Sequence, residues 1–288
     1  MSLRYRIAAA AFFMLAFNGC ANLDDAAGFS NLSDKARVAL PKVSNDVAGT
    51  CARQNTLFNN TPAAERDTSQ HAQDCQPYQN VADHLAKDEN VLADYFDALG
   101  KLASNKPLSY DATINANVTS TSANSALSAN TISATNDAQG ILKALADAAT
   151  KGYRQKQLGQ LIEQNDAAIQ SLTKALKKVI TVDYGLLLSN EETTLDNFYR
   201  GPMAAATPNE RLALILVQRQ YAHDKDALQS RKDAIADYGK VMDDIAALHS
   251  RLKGEAGKKI SITDLAKQAA PIVQSLQTAL SNIQSRLN

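Results

Sequence analysis

Residues 158–186 carry the most regular apolar pattern of the chain and read LGQLIEQNDAAIQSLTKALKKVITVDYGL. Nine positions recur here in alternating steps of four and three residues, and all but two of them are apolar: Leu158, Ile162, Asn165, Ile169, Leu172, Leu176, Val179, Asp183 and Leu186. An average spacing of about 3.5 residues is typical of helices that pack lengthwise on one another, as in coiled coils. The stretch therefore predicts a long helix with one buried seam.

Helical patterns continue on both sides of this stretch. Thr207-Pro208-Asn209-Glu210 has the form of a capping box with proline in the first turn, and the run that it opens contains no proline before Gly254. Apolar residues also recur at helical spacing over 81–102 and 265–287. We therefore predict an all-α fold, an elongated antiparallel helical bundle with coiled-coil-like long helices, over residues 33–288.

Residues 109–136 differ in composition from the rest of this domain. They are rich in Ser, Thr, Asn and Ala, and Asp111 is their single charged residue. Such a segment forms either a polar loop or a weak helix that is held by its neighbours. The frequent alanines, together with the lack of Gly and Pro, favour the helix.

The N-terminus has the arrangement of an export signal. Arg4 and Arg6 precede an uninterrupted apolar run at residues 7–17. That run is shorter than the roughly 20 residues that span a bilayer, but it has the length of the apolar part of a signal peptide. Gly19-Cys20 follows the run, and this ending resembles the lipobox of bacterial lipoproteins, with Phe in place of the usual Leu at residue 17.

The resemblance implies a signal peptide at residues 1–19 and a lipid-bearing cysteine, with palmitate among its acyl chains, at Cys20. Residues 20–32 are then expected to form a tether. By the sorting pattern of bacterial lipoproteins, the absence of Asp at residue 21 implies a lipid anchor in the outer membrane, on the periplasmic side. Ordinary signal cleavage after Ala21 is the alternative.

Two cysteines are left when Cys20 is assigned to lipid. Cys51 and Cys75 can then form a disulfide, which an oxidising compartment such as the periplasm permits. The alternative is a metal site, because His71 lies four residues before Cys75 and His84 follows. Four ligands at the spacing of a zinc finger are not present, so we predict the disulfide and no metal.

The sequence contains no recognisable catalytic pattern. Neither H-E-x-x-H nor Gly-x-Ser-x-Gly occurs, and the glycines near residue 254 lack the spacing of a phosphate-binding loop. Thirty basic and thirty acidic residues give a formal net charge of zero, which argues against a nucleic-acid partner. We therefore expect no catalytic residues, no cofactor and no enzyme, and an enzyme would depend on one of the four histidines: His71, His84, His223 and His249.

Two short groups are candidates for an interaction surface. The first is a basic group that could contact anionic lipid or an acidic partner, although a solvated helix face also accounts for it: Lys174, Lys177 and Lys178. The second is an apolar group that forms either an exposed anchor or a plug at the end of the bundle: Leu186, Leu187 and Leu188.

These features together predict a non-catalytic, periplasm-facing lipoprotein. We expect it to act as a structural or adaptor component of the cell envelope, attached to the membrane by its N-terminal lipid and to an envelope protein through helix-mediated contacts. The alternative is a helical bundle that binds a small apolar ligand. In that case the polar breaks in the apolar stripes would line a cavity: Asp88, Asn165 and Asp183.

Overall fold

The computed structural model describes residues 21–61, 72–104, 106–108, 128–150, 155–256 and 262–288. The predicted all-α bundle is confirmed. Its described part contains α1 (Ala21–Asn60), α2 (Gln76–Ala103), α3 (Ser128–Thr150), α4 (Gln155–Lys178), α5 (Gly185–Ala205), α6 (Arg211–Ala256) and α7 (Ile262–Arg286). None of these helices is long and apolar enough to cross a membrane.

α1 begins earlier than the sequence suggested. The expected tether over residues 20–32 is wrong for the residues that the structure describes, because Ala21 is already helical and Phe29 and Leu32 are buried in the core. Pro41 lies inside this helix and removes only one backbone hydrogen bond. Packing on both sides of Pro41 compensates, since Leu40 and Val43 are fully buried.

The helices do not all alternate in direction. α1 and α2 are antiparallel, because Arg37 contacts Asp94 whereas Ser44 contacts Glu89. α1 and α7, by contrast, are parallel neighbours: Gly28 packs against residue 273, and Lys42 contacts Asn288. α6 runs antiparallel to both α4 and α5 along its length.

α4 and α5 form one continuous helical rod, joined by a π-helical turn at Val179–Tyr184. A π turn contains one residue more than an α turn, so it shifts the register of everything that follows. The predicted seam is buried as far as Val179, but it then passes to Tyr184 and Leu188. The sequence prediction that Leu186 continues the seam is therefore wrong, since 64% of its surface is exposed.

The predicted disulfide between Cys51 and Cys75 is present and joins α1 to the start of α2. Asn55 supports the same junction, because its side-chain amide accepts from Gln73 N at 2.8 Å and donates to Gln73 O at 2.9 Å. Of the polar segment predicted at 109–136, residues 128–136 are the first turns of α3, and residues 109–127 lie outside the described part.

Candidate functional site

One exposed stripe runs along the rod formed by α4 and α5. Lys174, Lys178, Val182 and Leu186 are all exposed and follow one another at intervals of four residues. In a regular α-helix such a series would drift around the helix by about 40° at each step, but the π turn unwinds the helix and keeps the four side chains in line. We call these four residues the rod stripe.

Contacts on the opposite side of the rod hold the π turn in place. Tyr184 is buried, and its hydroxyl donates to Asp46 of α1. Thr181 packs against Gly239 of α6, where an added Cβ would lie 3.0 Å from the Thr181 methyl group. The π turn is therefore fixed by α1 and α6 on its inner side, while Val182 faces solvent.

Within each of the two predicted interaction groups, the residues differ in their exposure or in their ion-pair partners. Lys174 and Lys178 have no ion-pair partner in the described part of the chain, whereas Lys177 pairs with Asp243 at 2.7 Å. In the apolar group Leu186 is exposed, Leu187 is half-buried against the core and Leu188 is fully buried. The rod stripe thus combines two lysines and one leucine that the sequence suggested with Val182, which the predicted heptad did not mark.

A second exposed apolar surface lies at the end of the molecule. α5 and the start of α6 form a helical hairpin, and Tyr199–Asp224 and Tyr221–Asp196 hydrogen bonds join its two arms. On the outer face of α6, three aliphatic side chains are 72%, 43% and 56% exposed: Leu212, Ile215 and Leu216. We call residues 200–219 the hairpin tip. Sequence reasoning missed it because helical periodicity does not show which part of a long helix lacks a neighbour.

A cluster of charged side chains fixes this hairpin to α1. Arg53 binds Glu191 through two hydrogen bonds of 2.7 and 3.1 Å, and Asp46 through one of 2.7 Å. Arg231 of α6 approaches the same two carboxylates at 3.5 Å. Because two cations face two anions in a partly buried site, the cluster is neutral and joins three helices without an unpaired charge.

A polar cavity of about 600 Å³ adjoins this cluster at the end of α7. Two of its three cationic side chains have ion-pair partners, because Arg286 pairs with Asp233 and Asp237, and Arg231 approaches Asp46. The third, Lys42, contacts the side chain of Asn288. The remaining lining is mainly Ser and Asn side chains. The cavity therefore presents polar walls.

The one buried histidine of the described part is His249. Tyr95 lies 2.7 Å from its Nε2, and Asp166 lies 3.1 Å from its Nδ1. Burial lowers the pKa of His249, so the neutral ring donates from Nδ1 to the carboxylate and accepts at Nε2 from the tyrosine hydroxyl. These three groups have the connectivity of a catalytic triad, but Tyr95 and His249 are only 1% and 2% exposed, so no substrate can reach them.

The other two histidines that the structure describes, His84 and His223, do not form a site. His223 is exposed beside Asp224, His84 is partly exposed, and His71 lies outside the described residues. No group of three or more potential metal ligands occurs within the residues that the structure describes. Sequence reasoning did not find the His249 contacts, because Asp166 and Tyr95 are 83 and 154 residues away along the chain.

Two neighbouring carboxyl groups are buried where α1, α2, α3 and α6 meet. Glu89 accepts hydrogen bonds from Ser44 and Tyr238, both at 2.8 Å, and its second oxygen has no partner. Burial raises the pKa of Glu89 to about 8 and that of Asp88, which accepts from Thr135, to about 7. Both groups therefore hold a proton more tightly than an exposed carboxyl does.

Comparison of the chain with protein-family models, with curated proteins and with solved structures gave no match.

Proposed function

We propose that this chain is a non-catalytic, periplasm-facing lipoprotein that serves as a structural or adaptor component of the cell envelope. The observation that carries the proposal is the rod stripe, a line of exposed cationic and aliphatic side chains on the longest helical element. Its partner would be an envelope protein that lays a helix along the rod.

The position of the rod stripe supports a contact of this kind. From Lys174 to Leu186 it extends about 18 Å along the side of the rod. Exposed polar residues, Asn190 and Thr193, continue the same face toward the hairpin. A second helix could therefore lie along several turns, with Val182 and Leu186 as apolar contacts and the two lysines facing acidic side chains.

α1, the helix that follows the proposed anchor in the sequence, begins at the opposite end of the bundle from the hairpin. Cys20 directly precedes α1, which runs parallel to the rod, as the Arg53–Glu191 and Tyr184–Asp46 contacts show. From the start of α1 to the end of α5 the molecule extends about 70 Å at 1.5 Å per residue. A lipid on Cys20, in the outer membrane, would leave the rod stripe away from that membrane and accessible to a periplasmic partner.

Binding of a small apolar ligand is less well supported. Two of the polar residues that would line its cavity instead have protein partners in the core: Asp88 accepts from Thr135, and Asn165 donates to Leu161 O at 2.7 Å. Asp183 lies at the π turn and is half-buried. The cavity at the end of α7 has polar walls, which do not suit an apolar molecule.

Site-specific photo-crosslinking in cells tests the adaptor proposal. A photoreactive residue at Leu186 or Val182 is expected to give one defined protein adduct, which a matched probe at Ser133, exposed on α3, does not give. Lys174→Glu with Lys178→Glu should abolish the adduct while the far-UV circular dichroism spectrum stays unchanged. An adduct of the same intensity from Ser133, or one that survives the charge reversal, would refute the proposal.

A further inference from the structure

The hairpin tip has an uneven distribution of charge. Between residues 200 and 219 the basic residues are Arg200, Arg211 and Arg219, and the one acidic residue is Glu210. The carboxylate of Glu210 is hydrogen-bonded within the tip, because it accepts from Thr207 N at 2.9 Å and from the Thr207 hydroxyl at 2.7 Å. None of the three arginines has an ion-pair partner in the part of the chain that the structure describes.

The exposed aliphatic side chains share one face of α6 with two of the arginines, Arg211 and Arg219, whereas Arg200 lies on α5. Ile215 lies four residues after Arg211 and four before Arg219, and Leu216 lies four after Leu212. α6 has no fully buried side chain before Leu228, so this face projects beyond the core. The tip is therefore an exposed apolar surface bordered by positive charge.

We infer that the hairpin tip docks on an anionic lipid surface, with its three aliphatic side chains inserted at the interface. Apolar side chains beside arginines are the chemistry that binds the boundary of an acidic bilayer. The exposed parts of three aliphatic side chains cover far less than the roughly 800 Å² per partner of a standard protein interface. A bilayer deforms around the side chains and needs no complementary groove.

This membrane contact goes beyond the proposed function and is independent of the rod stripe. The tip lies about 70 Å along the helices from the residue that follows Cys20. A lipid at Cys20 and a docked tip would hold the molecule at both ends, either along one membrane or between two.

An environment-sensitive fluorophore at the apex of the tip tests the inference. The full chain carries Cys20→Ser, which removes the acylation site, and Asn209→Cys, which places one free thiol on the turn while Cys51 and Cys75 remain paired. The matched control carries the fluorophore at Ser133→Cys on α3. Both are titrated with vesicles of phosphatidylcholine alone and with vesicles that contain equal parts of phosphatidylglycerol.

The fluorophore at residue 209 should shift to the blue on phosphatidylglycerol vesicles, and the one at residue 133 should not. Arg211→Gln with Arg219→Gln should weaken the apparent affinity about 30-fold, which corresponds to the loss of two cationic contacts. Serine at Leu212, Ile215 and Leu216 should weaken it about 100-fold or more. These positions are exposed, so circular dichroism should show that the variants remain folded.

Several outcomes would overturn the inference. They are no shift at residue 209, an equal shift on neutral and anionic vesicles, and an equal shift at residue 133. The N-terminal apolar run is common to all variants, so its own affinity for vesicles cancels in the comparison. A photoreactive group at residue 209 that captures a protein in cells, without any vesicle response, would assign the tip to a protein partner instead.

Discussion

The two halves of α6 belong to one uninterrupted helix but have opposite environments. Over residues 211–227 no side chain is fully buried, and Leu212 is 72% exposed. Over residues 228–252 a full stripe is buried, including Tyr238 and Leu248. Both halves are rich in helix-forming residues, so local preference makes the helix continuous while its neighbours decide which apolar residues are covered.

Polar groups show a similar contrast between the first turns of α6, residues 211–219, and its second half. In the second half, Tyr238 and His249 are buried, and each has hydrogen-bond partners on other helices. In the first half, Arg211 and Arg219 are exposed, and the described residues provide no ion-pair partner for them. Buried polar groups require partners, whereas exposed ones are satisfied by water and stay available for binding. The second half thus supports the fold, Tyr221 and Asp224 join α6 to α5, and residues 211–219 are the part of α6 open to other molecules.

The largest expected difference comes from one substitution in each half. Leu248→Ala, at a fully buried position, should lower the free energy of unfolding by about 2–5 kcal/mol, because it removes packed atoms and leaves a cavity. Leu212→Ala, at the exposed position, should change it by less than about 0.5 kcal/mol. Urea denaturation followed by circular dichroism measures both, and similar costs would contradict the division of α6.

Reduction of the disulfide tests the junction of α1 with α2, the helix that provides hydrogen-bond partners for the second half of α6. Opening the Cys51–Cys75 bond, whose cysteines are 24 residues apart, should lower the free energy of unfolding by about 3 kcal/mol, since it frees a loop in the unfolded chain. The measurement is urea denaturation with and without reductant. The double variant Cys51→Ala with Cys75→Ala serves as the control and should not respond to reductant, and an unchanged midpoint for the parent chain would contradict the expectation.

Glu89 and Glu210 should contribute with opposite signs to the pH dependence of the free energy of unfolding. The pKa of Glu89 rises from 4.5 to about 8 on folding, so the folded state binds the extra proton. Glu89 should therefore contribute a fall of about 1.4 kcal/mol per pH unit in the free energy of unfolding as pH rises between those values, and Glu89→Gln should remove that contribution.

At Glu210 the capping contacts with Thr207 lower the carboxyl pKa. That stabilisation is present above the unfolded pKa and is lost as pH falls through the folded value. Denaturation of both Gln variants over a pH series measures the two slopes. A Glu89→Gln variant that keeps the parent slope would show that its proton is not linked to folding.

The smallest expected effect concerns the contact between α6 and the π turn. Gly239→Ala should destabilise the protein by about 1 kcal/mol, because the new Cβ would meet the Thr181 methyl group at 3.0 Å. Gly140→Ala, where nothing lies within 4 Å, should stabilise it by about 0.5–1 kcal/mol through helix propensity.

Removing the opposing methyl group with Thr181→Ser should rescue Gly239→Ala and complete a double-mutant cycle. Thermal denaturation of the four variants measures the coupling. An additive result would mean that the clash at Gly239 does not limit how closely α6 approaches the π turn.

The π turn marks the position beyond which the buried seam predicted from the sequence is wrong. The seam from Leu158 to Val179 was read correctly, because each position depends on regular α-helical spacing. Beyond Val179 the same spacing pointed to Leu186, and Tyr184 and Leu188 are buried instead. A one-residue shift of this kind is set by contacts with Asp46 and Gly239 on other helices, which the local pattern does not contain.

The candidate surfaces were predictable only in part. Lys174, Lys178 and Leu186 were identified as candidates for an interaction surface from charge and hydropathy, but nothing in the sequence placed them in one line with Val182. The hairpin tip was not predicted, because Leu212, Ile215 and Leu216 have the spacing of a core face. Periodicity shows that a face is apolar, and only the arrangement of helices shows that it has no neighbour.

By itself, the sequence determined that this protein is helical, where its longest helices lie and that Cys51 pairs with Cys75, because helix propensity, capping and cysteine number are local or countable properties. The tertiary structure decided which helices run parallel, where the rod changes register, and that His249, Glu89 and Arg53 find their partners across the bundle. Those outcomes depend on residues far apart in the chain, and close packing selects among many arrangements that the local pattern allows equally.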